Sequence, residues 1–392
     1  MERMEMRLKA LLLALILFGI FISSAIAGRV TIDRASVIVR FRDRIDAEVI
    51  TAVNGQILKT YKSIPAVAAQ VDAASIEVLK ANPRVAYVEA EKERHIQGQL
   101  DEVQAKPGSV QPPQTLPWGV DRIDAERVWR KNEGEGVNIA IIDTGIDPDH
   151  PDLTANIEGF YSAVPPNPYT VDDHYGHGTH VAGTIAAINN EIGVVGVGPK
   201  IDLWIIKASA GGILQLRDLL ESYDFVINTW FDDNPNNNIQ VVSMSYGGGY
   251  SSTEAEMLQR AWDMGIILVA AAGNEGGAVI YPAALPFVIA VTAMNKYDQI
   301  TSWSNRGLEV DLAAPGSAVT STYLRGQYAT WSGTSMATPH VTASAALAIA
   351  SHPRMNNAQI VQLLYDKAED LGDPGFDIFF GHGLVNAEGV GR

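Results

Sequence analysis

The chain has 392 residues, 47% hydrophobic, 8% aromatic and 19% charged, which is the composition of a globular protein with room for more than one domain. A formal net charge of -16 argues against nucleic acid as a partner, which needs a basic face, and against strong adhesion to anionic membranes. The complete absence of cysteine excludes a thiol nucleophile, thiolate metal sites and disulfides, so stability has to come from a large core or a bound metal.

The first element in chain order is a targeting segment. Arg3, Arg7 and Lys9 precede an apolar run from Ala10 to Ile22, and Ala25-Ile26-Ala27 fits a small-residue cleavage site. The run is shorter than the roughly 20 residues that span a bilayer, so residues 1–27 read as a cleaved signal peptide with no stable membrane anchor. Residues 28–97 read as a small α/β domain. Strand patterns at 36–42, 57–62, 66–71 and 84–91 alternate with helical patterns at 45–55 and 73–83. The order β-α-β-β-α-β is that of a ferredoxin-like fold. Residues 98–113 are polar and contain Gly, Pro and Gln, the character of a linker within reach of proteases.

From 114 to 392 the pattern changes. Continuous apolar strands at 137–142, 201–206, 239–244 and 266–271 alternate with helices at 180–188, 214–230 and 254–265. Such strands predict an α/β domain with a parallel sheet covered by helices on both faces. Chemistry in these sheets gathers at the carboxyl ends of the strands.

Three segments fall there. Asp143-Thr144-Gly145 directly follows the strand at 137–142, where a carboxylate can orient a histidine. Alone it reads better as a turn, and an aspartic-protease reading lacks the second Asp-Thr-Gly that chemistry requires. His177-Gly178-Thr179-His180 opens a helix. With His174 it forms an H-x-x-H-x-x-H spacing, but i, i+3 and i+6 spread around a helix and no Glu is present as base, which disfavours zinc. His180 and His340 read as structural. Gly333-Thr334-Ser335-Met336-Ala337 leads into an apolar helix whose dipole favours negative charge at its start. A serine nucleophile needs a base, and the base needs a carboxylate to fix its tautomer, so the three together are far more specific than any one.

The order Asp, His, Ser and the segments IAIIDTGID, HGTHVAGT and GTSMATPHV resemble the signatures of subtilisin-like serine proteases, over nearly everything from Gln114 to Ala387. The resemblance implies a secreted endopeptidase of protein or peptide substrates, in which Asp143, His177 and Ser335 are catalytic. It also places Asn274, in AAAGNEG, as an oxyanion donor beside the Ser335 N–H. It implies that Ser245, Tyr246 and Gly247 bind the substrate backbone by strand addition. Between Asn274 and Tyr281 the chain is shorter than in many relatives, and Ile280 falls where a pocket floor is usually small. A structural calcium is implied at Gln114, Asp152, Ile188, Asn190, Ile192 and Val194, an oxygen-donor set suited to that ion. NPRVAYVEAEKE resembles a subtilisin propeptide, so 28–97 is expected to assist folding and then act as intramolecular inhibitor, with the processing bond in or near 98–113. Residues 114–392 are then the peptidase domain, expected to be a monomer.

Overall fold

The computed structural model describes residues 33–104, 110–165, 170–232 and 234–392; the signal-peptide reading of 1–27 lies outside them. In chain order the strands are β1 (Arg34–Phe41), β2 (Gln56–Thr60), β3 (Ala66–Asp72), β4 (Val85–Ala90), β5 (Glu93–Ile96), β6 (Gln99–Val103), β7 (Asn138–Asp143), β8 (Ile157–Ser162), β9 (Asp202–Lys207), β10 (Ile213–Gln215), β11 (Val241–Met244), β12 (Tyr246–Gly247), β13 (Ile267–Ala271), β14 (Ile289–Met294), β15 (Leu312–Pro315), β16 (Val319–Tyr323) and β17 (Gln327–Ser332). The helices are α1 (Ala47–Thr51), α2 (Ile76–Ala81), α3 (Trp118–Arg122), α4 (His177–Ala186), α5 (Leu216–Asn228), α6 (Ser252–Asp263), α7 (Thr334–Ser351), α8 (Asn357–Lys367) and α9 (Ala387–Val390).

A seven-stranded parallel sheet, in the order β15-β14-β13-β11-β7-β9-β8, forms the centre of the larger domain. Its strands are apolar at successive positions because both faces are covered. Ile139 and Ile141 of β7 join the cluster containing Val181 and Ile185 of α4 and Val341 and Leu347 of α7. Ala140 and Ile142 of the same strand face Leu219 of α5 and Met257 of α6. The fold class expected from the sequence is therefore the one observed.

The N-terminal domain carries an antiparallel sheet in the order β2-β3-β1-β4. One face holds its own core, with Val37, Val39 and Phe41 against Val49, Ile50 and Leu79. The alternate residues Ile38, Ala66 and Ala68 enter the cluster of Leu216, Leu220 and Met257. The strand period of two thus gives one small sheet two apolar faces, one internal and one spent on docking against α5 and α6. Polar contacts ring that interface. Arg40 pairs with Glu256 at 2.6 Å, Asp224 accepts from Lys62 N and Ser63 N, and Glu89 accepts from Ser251 Oγ at 2.9 Å.

Beyond that sheet, β5, at the end of the span read as propeptide, lies between β10 and β12, antiparallel to both. Part of the span read as a linker is ordered too, since β6 adds antiparallel to β17.

Candidate active site

Asp143 ends β7 and His177 opens α4, so both side chains lie at the carboxyl edge of the sheet. Their exposures are 1% and 0%. His177 Nδ1 meets Asp143 Oδ1 and Oδ2 at 2.8 and 2.9 Å, and the Thr144 N–H donates to Oδ1 at 2.7 Å. The start of α4 is held from outside the helix. Asp173, buried, accepts from Tyr175 N, Gly176 N, Thr179 N and Thr179 Oγ1, and Thr144 Oγ1 accepts from Gly178 N. These contacts satisfy amides that have no partner within a helix. They also explain why the helix begins at His177 and not at His180, where the apolar pattern starts.

His180, fully buried, faces the carbonyl oxygens of Val319 and Ala329 at 3.0 and 3.1 Å. Its Nε2 therefore carries the hydrogen and is unable to ligate a metal, and burial lowers its pKa to about 3. His174 is exposed. The zinc alternative has no geometry here, and no group of three or more His, Cys, Asp or Glu among the described residues is arranged to hold a metal.

Ser335 is the second residue of α7. The helix contains Pro339, which has no N–H to offer the Ser335 carbonyl four residues earlier. Ser245 Oγ fills that place, donating to Ser335 O at 3.0 Å. The Ser335 hydroxyl donates to Ser245 O at 2.7 Å, and His177 Nε2 is buried without a hydrogen-bond partner among the described residues. Asp143 and His177 are thus joined directly, whereas Ser335 and His177 share no hydrogen bond in this arrangement. Catalytic contacts of this kind commonly tighten only in the reacting complex.

Asn274 follows β13. Its Oδ1 accepts from Thr334 N and Thr334 Oγ1, each at 2.9 Å, which fixes the amide and leaves Nδ2 to donate elsewhere. The loop is braced by Asn305, whose Oδ1 accepts from Glu275 N and Gly277 N and whose Nδ2 donates to Ala272 O.

The groove at this site is filled by the chain itself. β5 pairs with β12 in the register Tyr246–Ile96 and Gly247–His95, and Gln97 N donates to Ser245 O at 3.2 Å. On its other edge β5 pairs with β10, Leu214 opposite Arg94. Ser245, Tyr246 and Gly247 therefore meet an extended segment through their main chain. Ile280 packs over Gly247, where an added Cβ would come within 2.5 Å of its Cδ1. Just beyond, the Gln97 carbonyl oxygen accepts from Ser335 N at 2.9 Å. Gly333 is needed at that point, since a Cβ there would collide with the same oxygen. The Gln97–Gly98 peptide bond thus lies at the amino end of α7. A Cβ added to Gly98 would stand 3.1 Å from His177 Nε2.

The six residues expected to hold calcium also converge. Gln114 Oε1 accepts from Asn190 N at 2.6 Å, and Asn190 Nδ2 donates to Asp152 Oδ1 at 2.8 Å. Ile188 N donates to Asp152 O, Ile192 N to Asn190 Oδ1, and Val194 N to Asp152 Oδ2. Gly193, at φ 61, turns the loop against Tyr328, whose hydroxyl donates to Asp152 Oδ2 at 2.9 Å. The Asp152 carboxylate is fully buried and makes no ion pair with a basic side chain among the described residues. A buried carboxylate in the same cluster as the side-chain amide oxygens of Gln114 and Asn190 is the kind of oxygen donor that suits a hard divalent cation.

Sequence reasoning did not reach Asp173 or Asn305, which position the site without touching its reacting atoms. Their only signal was a polar residue in a loop.

Comparisons with known proteins place the chain in a family. The model described as the subtilase family matches residues 134–383, and that described as peptidase inhibitor I9 matches residues 33–97. Subtilisin E of Bacillus subtilis (strain 168) is 38% identical over 353 residues, 88% of this chain and 85% of that protein. Subtilisin of Bacillus pumilus is 40% identical over 287 residues, 71% of this chain and 100% of that one. The minor extracellular protease Epr of Bacillus subtilis (strain 168) is 36% identical over 357 residues, 89% and 53% respectively.

Proposed function

The chain belongs to the subtilase family and is a serine endopeptidase with an inhibitor-type propeptide, and from that premise we propose that it is a secreted zymogen that cuts its own chain between Gln97 and Gly98. In this reading Ser335 Oγ attacks the Gln97 carbonyl carbon while His177 Nε2 takes its proton. Asp143 holds His177 with Nδ1–H toward the carboxylate and stabilises the imidazolium. The Ser335 N–H and the Asn274 amide donate to the oxygen as it becomes negative. His177 then protonates the Gly98 nitrogen, the amine leaves, and water hydrolyses the acyl-enzyme. Protein and peptide substrates follow the same course, held through Ser245, Tyr246 and Gly247.

The observation that carries this reading is the Gln97 carbonyl accepting from Ser335 N, with Gly98 against the unpartnered Nε2 of His177. Residues 28–97 are then the propeptide, 98–113 a leader left on the processed chain, and 114–392 the peptidase domain. Calcium is the structural ion we assign to Gln114, Asp152 and the 188–194 loop, where it would neutralise a buried carboxylate. Support for secretion comes from the pattern of residues 1–27 and from one relative's being an extracellular protease.

The test is Ser335→Ala in the purified precursor. It should lose peptidase activity and stay full length, while the parent yields a chain beginning at Gly98 on N-terminal sequencing. A Ser335→Ala precursor that matures with no other protease present would refute self-processing.

A further inference from the structure

Arg94 is the fourth residue before the Gln97–Gly98 bond, and its side chain is entirely buried. A long cation is rarely found there without a partner. Its partner is Glu254, in the first turn of α6 and 1% exposed, which accepts from Arg94 Nη2. Glu254 is itself part of a directed chain. Tyr223 OH donates to Glu254 Oε1 at 3.0 Å, so the contact of 2.9 Å between Tyr223 OH and Tyr246 OH must have Tyr246 as donor. Both phenols are buried, and desolvation raises their pKa values well above the ordinary one, so they remain protonated donors. Every hydrogen in this chain points toward the carboxylate.

These groups come from three elements of the peptidase domain, α5, β12 and α6. None is required by the N-terminal domain's own core, and Arg94 lies outside that domain's four-stranded sheet. The pocket also has room for the arginine stem, since Gly248 approaches it: a Cβ there would stand 3.1 Å from Arg94 Cδ. Once the upstream segment leaves, Glu254 keeps its tyrosine donor and loses its cation. A buried charge deprived of its partner is strongly unfavourable. An incoming arginine removes that penalty, while an apolar side chain seals the carboxylate away from water with nothing to neutralise it.

We propose that Glu254 makes this protease selective for peptides with arginine four residues before the cut, so that Arg94 is the propeptide's copy of the preferred substrate residue. Lysine should serve less well, because the pocket engages a guanidinium nitrogen beside the Glu93 carbonyl, which accepts from Arg94 Nη1 at 3.2 Å, and a compact ammonium lacks that fork. The inference rests on the functional reading above, which sets the position of the cut.

The experiment uses processed wild-type protein and four peptides that are identical except for Arg, Lys, Ala or Leu at that position, with the cleaved bond identified by mass spectrometry. The arginine peptide should exceed the alanine and leucine peptides in kcat/KM by about 30-fold or more, the scale for losing one partner of a buried hydrogen-bonded charge pair. Glu254→Gln, obtained by processing in trans, should collapse that ratio to a few-fold. In the precursor, Arg94→Ala should slow the first cut. Equal rates on all four peptides would overturn the proposal and leave the role of Ser335 standing. Cleavage of none of them would overturn the functional reading and this proposal with it. If Glu254→Gln does not fold, the wild-type ratio and the Arg94→Ala rate decide alone.

Discussion

Replacing Asp143 by Asn probes the joint between β7 and α4. Asp143 and His177 are each essentially sealed from water and meet at 2.8 and 2.9 Å. When Ser335 gives up its proton, a positive imidazolium forms about 4 Å from the carboxylate charge. At an effective dielectric of about 20 that attraction is worth about 4 kcal/mol, or about three powers of ten in rate. Asparagine removes the charge and also turns an N–H toward Nδ1. The ring then holds its hydrogen on Nε2, the atom that has to accept the proton. The two effects together predict a kcat lower by about 10³- to 10⁴-fold with KM little changed. The assay is hydrolysis of a chromogenic peptide by variant precursor processed in trans, normalised by active-site titration, with the melting temperature as a control for folding. A kcat within tenfold of the parent, in a variant that melts normally, would refute the assignment of His177 as base and Asp143 as its orienting group.

Calcium should raise the melting temperature of the processed protein, since a ligand bound only by the folded state stabilises it by about 2.7 kcal/mol at a hundred times its Kd. Asp152→Ala should shrink that gain, and identical melting curves in calcium and in chelator would remove the site. A third expectation concerns pH. Burial lowers the pKa of His340 to about 4, below its ordinary 6.5, so the folded state binds fewer protons than the unfolded one between those values. Its contribution is complete above pH 6.5 and is lost as pH falls toward 4, a change on the order of 3 kcal/mol. Urea unfolding of the Ser335→Ala protein at pH 7 and 4.5 should show that decline. His340→Gln should lessen it, and an unaltered slope would refute the assignment to His340.

The proposed reacting groups were legible in the sequence because each sits where a strand or helix pattern begins or ends. Asp143 ends an apolar strand, Asn274 follows another, and Ser335 stands in the first turn of a helix. The sheet was equally legible, since β7, β9, β11 and β13 are apolar on both faces. What escaped was structure conferred by distant partners. Residues 214 and 215 read as the beginning of a helix, yet they form β10 because β5 lies alongside, and Leu216 N donates to Lys92 O at 2.9 Å. Residues 93–103 alternate too weakly to read as strands, and are extended because β10, β12 and β17 offer open edges. Glu254 looked like one more polar position on an amphipathic helix. Nothing local distinguishes it from an exposed glutamate, because its partners Tyr223 and Arg94 come from 31 and 160 residues earlier.

If the Gln97–Gly98 bond is cut as proposed, the two strands that flank it have unequal fates. β5 belongs to a piece that becomes a separate molecule, so its occupancy of the groove falls on dilution. β6 remains covalently attached through residues 104–113 to Gln114, which is already seated in the 188–194 loop, and it keeps its pairing with β17, including Gln104 N to Tyr328 O at 2.9 Å. For that strand the competing substrate faces an effective concentration set by a short tether, commonly in the millimolar range, that no dilution changes. Washing or diluting the processed protein therefore clears only the acyl half of the cleft. The amine half opens when the leader itself is trimmed, so a preparation freed of its propeptide should still gain activity as the 98–113 segment is lost.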